Sequence, residues 1–134
     1  MNGKKLRGVI GIVERDGKYL FGLESKDSPI KGKWRLLGGK LEGYENAEQA
    51  MIRECREEAG IEVRVNGFLG NANGTLRDIA IDVCYGQYIS GNLNPKLDEI
   101  SEAGWFTFDE TLLMDIESLS RCMFYIYLER FTDN

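Results

Sequence analysis

A chain of 134 residues with 43% apolar and 29% charged side chains has the size and composition of one soluble globular domain, spanning residues 1–134. Its formal net charge of -5 argues against a nucleic-acid binder, which needs a basic face, so an anionic ligand would have to be met through a cation. Histidine is absent, which leaves acid-base work and metal ligation to carboxylates, hard donors that suit Mg²⁺, Mn²⁺ or Ca²⁺ rather than Zn²⁺ or Cu²⁺.

Near the N-terminus Lys4, Lys5 and Arg7 precede Val9, Ile10, Ile12 and Val13, but Glu14, Arg15 and Asp16 end the apolar run too early for a signal peptide. No run approaches the roughly 18 apolar residues of a membrane span, so no membrane partner is expected. Cys55, Cys84 and Cys122 are odd in number and lack CxxC spacing, which predicts reduced thiols and a cytoplasmic location.

Residues 9–13 and 19–23 are apolar runs around Asp16-Gly17 and predict a β-hairpin. A polar loop over 24–33, with Ser28-Pro29 and Gly32, leads to a short strand from Trp34 to Leu37 and the turn-prone pair Gly38-Gly39. Ala47 to Ala59 contains neither Gly nor Pro. It follows Asn46, which with Gln49 resembles a capping box, and precedes Gly60, a helix stop. Strands are predicted over 61–65 and 75–89, with a turn at Asn73-Gly74 and Ile79, Ile81, Val83 and Tyr85 on one face. A loop over 91–98, a strand at 105–108 and a helical turn capped by Asp109 follow. A final helix is predicted over 116–131, its apolar face formed by Leu119, Met123, Ile126 and Phe131.

On the Ala47–Ala59 helix, steps of 100° bring Glu54, Glu57 and Glu58 to one edge, beside an apolar stripe of Ala47, Met51, Ile52, Cys55 and Ala59. Three like charges on one edge weaken an isolated helix, and a divalent ion is the natural compensation. A solvated acidic face is the bland alternative for any such cluster. What surrounds this one decides the matter: Gly39-x5-Glu45-x7-Arg53-Glu54-Cys55-x-Glu57-Glu58-x-Gly60-Ile61 fills every fixed position of the pattern GX5EX7REUXEEXGU. In this segment the chain resembles the Nudix hydrolases, and the hairpin, the Trp34-to-Lys40 stretch and Trp105-Phe106 resemble MutT-like relatives in order and spacing.

The resemblance implies an α+β fold, a Nudix-type α/β/α sandwich with a mixed β-sheet. It also implies that Glu54, Glu57 and Glu58 bind Mg²⁺ (Mn²⁺ possible), with the Gly39 carbonyl as a further ligand. Arg53 looks like the family arginine that orients a glutamate, and Glu45 like the residue that supports the loop or a metal-bound water. A later acidic residue assists in several relatives; among Asp98, Glu99 and Glu102, the pattern E-I-x-E-x-x-W-F favours Glu99. Lys40, Arg35 and Trp34 are candidate substrate contacts, although Trp34 is more commonly a buried anchor at such a position. Many relatives carry Pro before the paired glycines, where this chain has Leu37, which leaves the loop's substrate preference open.

The implied reaction is attack of water on a nucleoside diphosphate linked to a variable group X. Thr75, Leu76 and Arg77 stand where ADP-ribose hydrolases carry a proline and diadenosine polyphosphate hydrolases a tyrosine. By elimination the expected substrate is a nucleoside triphosphate or modified nucleotide, split to the monophosphate and pyrophosphate. ADP-ribose or another nucleotide sugar is the alternative within the enzyme class, and a non-catalytic nucleotide-binding regulator the alternative outside it. The expected partner is a small-molecule nucleotide, for a monomer or homodimer.

Overall fold

The computed structural model describes residues 6–73 and 79–131. In chain order the elements are β1 (Leu6–Arg15), β2 (Lys18–Glu24), β3 (Trp34–Arg35), β4 (Leu37–Lys40), α1 (Ala47–Ala59), β5 (Glu62–Asn73), β6 (Ile79–Ser90), β7 (Ile100–Phe106), α2 (Phe108–Thr111) and α3 (Ser118–Phe131).

Seven strands form one mixed sheet, with the path β3-β2-β1-β6-β5, β4 added on β1 and β7 on β2. Among the described strand pairs only β1 and β6 run parallel, from Leu6 opposite Ile79 to Glu14 opposite Gln87. Strand alternation sends successive residues to opposite faces, and both faces of this sheet are covered. Val9, Val13, Leu20 and Leu37 pack with Ala50, Met51 and Cys55 of α1. Ile12, Tyr19, Phe21 and Leu36 pack on the other side with Phe124 and Tyr127 of α3. Phe124 is fully buried and meets Tyr19 and Phe21 edge-on, at centroid distances of 5.0 and 5.3 Å. The result is the α/β/α sandwich expected from the resemblance.

Helix α1 has the predicted limits because both ends are satisfied locally. Asn46 accepts a hydrogen bond from the Gln49 N–H while the Gln49 side chain accepts one from the Asn46 N–H. Gly60 closes the helix in the left-handed conformation, with φ of 74°, that glycine adopts at low cost.

Four expectations are corrected. The strand at 34–37 is split, because β3 pairs with β2 and β4 with β1; the intervening Leu36 N–H donates to Ser120 Oγ of α3 at 3.0 Å. β7 begins at Ile100, its polar Ser101 and Glu102 having hidden a strand that pairing with β2 stabilises. The cap of α2 is Thr107, whose hydroxyl accepts from the Glu110 N–H while the Glu110 carboxylate accepts from the Thr107 N–H. α3 starts at Ser118 and buries Ser120, Phe124 and Tyr127, whereas Ile126 and Phe131 are exposed. Leu119 and Met123 of the predicted face do pack on this core, and Phe131, though exposed, lies 4.6 Å from Tyr85 between ring centroids. The predicted turn at Asn73-Gly74 and the comparison at Thr75, Leu76 and Arg77 lie outside the described residues. Cys55, Cys84 and Cys122 are all free thiols. No helix among the described residues is long and apolar enough to cross a membrane.

Candidate active site

The paired glycines lie on β4 against β1, Gly38 opposite Ile10 and Gly39 opposite Val9. Their missing side chains serve different neighbours. A Cβ on Gly38 would lie 1.9 Å from the Val9 carbonyl oxygen, whereas one on Gly39 would lie 2.3 Å from Glu54 Oε2. Gly38 therefore lets the strands meet, and Gly39 lets a helix carboxylate rest on the backbone. We expect Gly39→Ala to melt close to wild type, because only the tip of a side chain must move, while divalent-ion affinity falls at least tenfold. Gly38→Ala should lose the cooperative fold. Thermal melts and Mn²⁺ titration of the two variants distinguish these outcomes, and identical behaviour would contradict the division of roles.

Glu54 and Glu58 are both buried on the sheet-facing edge of α1. The segment after β6 docks on the end of this helix, with the Asn94 N–H donating to the Ala59 carbonyl at 2.8 Å and the Lys96 N–H to the Glu58 carbonyl at 2.9 Å. That docking carries Glu99 to the same place. One carboxylate oxygen from each of Glu54, Glu58 and Glu99 falls within a group spanning no more than 4.8 Å. Burial raises the Glu58 carboxyl to about 8; Arg35 opposes the rise, while Glu54 and a hydrogen bond with Glu99 add to it. Burial also raises Glu54, against the pull of Arg53. Arg35 and Arg53 supply counter-charge to Glu58 and Glu54 from one side. The all-oxygen donor set fits a hard divalent ion.

The structure does not bring Glu57 into that group. Its side chain is half exposed, with its carboxylate 3.0 Å from Arg53 Nη1. Arg53 is more than a surface ion-pair partner, since its guanidinium also donates to Glu45 at 2.6 and 2.9 Å, to Glu54 at 2.5 Å and to the Lys40 carbonyl at 2.9 Å. It thereby ties the loop before α1 to the helix and holds the Glu45 carboxyl below the usual carboxylate range. Lys40 is exposed beside Gly39. Trp34 packs edge-on against Phe106 at 5.0 Å, and its backbone bonds to Asp115 and Glu117, which is the anchoring use of a tryptophan.

Arg35 has partners other than the substrate expected of it. Its guanidinium donates to Glu24 and, at 3.1 Å, to Glu58. Glu24 was missed in the sequence because it stands at the end of a strand outside any motif, and only the sheet brings it to Arg35. Of the three later acidic residues, Glu99 alone joins the cluster; Glu102 lies on β7 opposite Leu23.

A family model of the NUDIX domain matches residues 4–125, and the chain belongs to the Nudix hydrolase family. Among curated relatives it is 31% identical over 123 residues to an NAD-capped RNA hydrolase, NudC, of Pseudomonas aeruginosa, a match covering 91% of this chain and 44% of that protein. A 68-residue match at 41% identity to a CTP pyrophosphohydrolase of Escherichia coli covers 51% of this chain and 50% of the relative. The chain thus spans about half the length of these curated relatives. A solved Nudix hydrolase of Nitrosomonas europaea superposes with a TM-score of 0.81 at 27% identity, covering 95% of this chain and 90% of the other.

Proposed function

We propose that the chain is a divalent-metal-dependent pyrophosphohydrolase of nucleoside diphosphates linked to a further group, with nucleoside triphosphates or modified nucleotides as first substrates and monophosphate plus pyrophosphate as products. The observation that carries this reading is the convergence of Glu54, Glu58 and Glu99 beside Gly39, within an intact glutamate-rich motif.

Glu54, Glu58 and Glu99 would hold the ion, with the Gly39 carbonyl as a further oxygen donor and Glu57 available at the rim. Mg²⁺ or Mn²⁺ bound there supplies charge to offset the polyphosphate, polarises phosphorus and lowers the pKa of water. Arg53 keeps Glu45 and Glu54 in place. As an alternative to ligating the ion, the exposed Glu99 carboxylate would take the proton from attacking water. The Lys40 ammonium would meet a phosphate oxygen as a point charge. A cavity of about 230 Å³ beside the glycines, with walls from Gly8, Ile10, Leu36, Ile79 and Ile81, has the apolar surface a nucleobase requires. The acidic balance of the chain favours a small nucleotide over the body of an RNA.

The relatives are named for NAD-capped RNA, CTP and ADP-ribose, so family membership does not choose the substrate. A hydrolysis panel of nucleoside triphosphates, oxidised nucleotides, nucleotide sugars and NAD-capped RNA, compared by kcat/KM, would choose it. Turnover should require Mg²⁺ or Mn²⁺ and stop with a chelator. Full activity after rigorous metal removal, or release of orthophosphate with a nucleoside diphosphate, would overturn the reading.

A further inference from the structure

We infer that Arg35 is a positioning residue for the metal-binding carboxylates, a two-armed strut that fixes Glu58 from the sheet side and anchors it to Glu24. The inference rests on the function proposed above and concerns how its site is kept in shape.

All three guanidinium nitrogens are engaged. Nε donates to Glu24, Nη2 to Glu58 Oε2 at 3.1 Å, and Nη1 to the Leu36 carbonyl at 3.2 Å. The three side chains are largely withdrawn from water, Arg35 being 18% exposed, Glu24 13% and Glu58 2%. The other oxygen of Glu58 accepts from the Gly38 N–H at 3.4 Å. Glu58 is thus held through both oxygens by the strands beneath it. Each oxygen keeps a second lone pair, which can face an ion shared with Glu54 and Glu99. Through Glu24 the same guanidinium reaches the end of β2, where the loop over residues 25–33 is closed by the Glu24 N–H donating to the Lys33 carbonyl at 2.9 Å.

Stability alone does not account for this arrangement. A buried triplet of one guanidinium and two carboxyl groups costs so much desolvation that apolar side chains of similar volume often serve the fold as well. Arg35 also lines the cavity beside the glycines, but three of its five N–H donors are taken by Glu24, Leu36 and Glu58, which leaves two for a substrate. What the triplet provides is a fixed orientation for a long, rotamer-rich carboxylate before any ion arrives. Groups that hold metal ligands in this way typically change affinity or activity by about 10- to 100-fold when removed.

The test uses the full chain and Mn²⁺ alone, read by electron paramagnetic resonance without nucleotide, together with thermal melts, kcat and KM for the preferred nucleotide of the panel. The double variant Arg35→Met with Glu24→Gln removes the strut without leaving Glu24 as a second unpaired buried charge. Its Kd for Mn²⁺ should rise about tenfold or more, and kcat should fall similarly with KM within a few-fold. Arg35→Lys keeps the charge but loses the fork, so it should not restore Mn²⁺ affinity. Should the double variant not fold, Arg35→Lys decides alone, and wild-type Mn²⁺ affinity in it overturns the inference. An unchanged Kd with raised KM would make Arg35 a substrate contact; an unchanged Kd with a lowered melting temperature would make it structural. Either result overturns the positioning role. Glu58→Gln separates this failure from that of the proposed function: if it weakens Mn²⁺ binding while the Arg35 variants do not, only the strut is refuted. A wild-type chain that binds no Mn²⁺ refutes both.

Discussion

Glu58→Gln should lower kcat by about 10²-fold or more while leaving the fold intact. Gln preserves the length of the side chain and one acceptor oxygen, so the contacts of α1 with the sheet are barely altered. The buried carboxyl is already held protonated to about 8 in the absence of a cation, and a neutral amide is a close substitute for that form. What Gln cannot do is become an anion when a divalent ion arrives. The ion would then be held by fewer charges at the moment when negative charge develops on the phosphorus. Glu54→Gln should behave similarly, and Glu57→Gln should also reduce kcat steeply if the rim carboxylate leaves Arg53 to join the ion. Exposed Glu48, on the same helix, is the matched control. Steady-state kinetics with circular dichroism on each variant gives the answer. Near-wild-type kcat in Glu58→Gln, equal to that of Glu48→Gln, would reduce the cluster to an acidic surface without chemistry.

The metal-free protein should become less stable as pH rises from about 5 to about 8. The folded-state value of Glu58, about 8, lies above its ordinary value of 4.5, so between the two the native state keeps a proton that the unfolded chain releases. Stability from this group is therefore full below the ordinary value and is lost as pH climbs through the folded one. Glu54, also raised, acts in the same direction. About 1.4 kcal/mol accompanies each tenfold change in a protonation constant, so the loss is of the order of a few kcal/mol. Glu45 has the opposite sign. Held low by Arg53, it contributes stability above its ordinary value and loses it only as pH falls through the folded one. Urea denaturation in chelator at several pH values should show the decline, and saturating Mg²⁺ should abolish it by replacing the protons. Metal-free Glu58→Gln should show a shallower slope. A flat profile in metal-free wild type would mean that Glu58 ionises at no cost.

The limits of α1 and the placing of Glu54 and Glu58 on one edge of it were legible because their signals are local: an Asn cap three residues before a Gln, a terminal Gly, and glutamates at helical spacing. The β1–β2 hairpin was legible for the same reason, through Asp16-Gly17 between alternating runs. What was not legible depends on partners far away in the chain. The break between β3 and β4 needs β1 and β2 to pair with different halves of one segment, and the polar strand β7 needs β2 as a template. The buried face of α3 follows the aromatic side chains that fit the sheet, which no helical period alone selects. At the site, the pairing of Arg35 with Glu24 depends on the register of β2 and β3. Glu99 stood out only by resemblance, because its approach to Glu58 comes from the backbone bonds that dock the segment after β6.

The gap between β3 and β4 gives α3 a part in the site beyond the Ser120 side chain that lines the cavity. Leu36 has no strand neighbour for its N–H, and Ser120 Oγ supplies the missing acceptor from the opposite layer. Were α3 to lift away, that donor would be stranded one residue from Arg35 and two from Gly38, at a cost of about 1–3 kcal/mol in a dry interior. The glycine floor beneath the carboxylates is in this sense suspended from the far side of the sheet. Shape at the carboxylate edge and closure of the C-terminal layer are therefore linked, so that a lesion in the last helix would reach the proposed site without passing through α1.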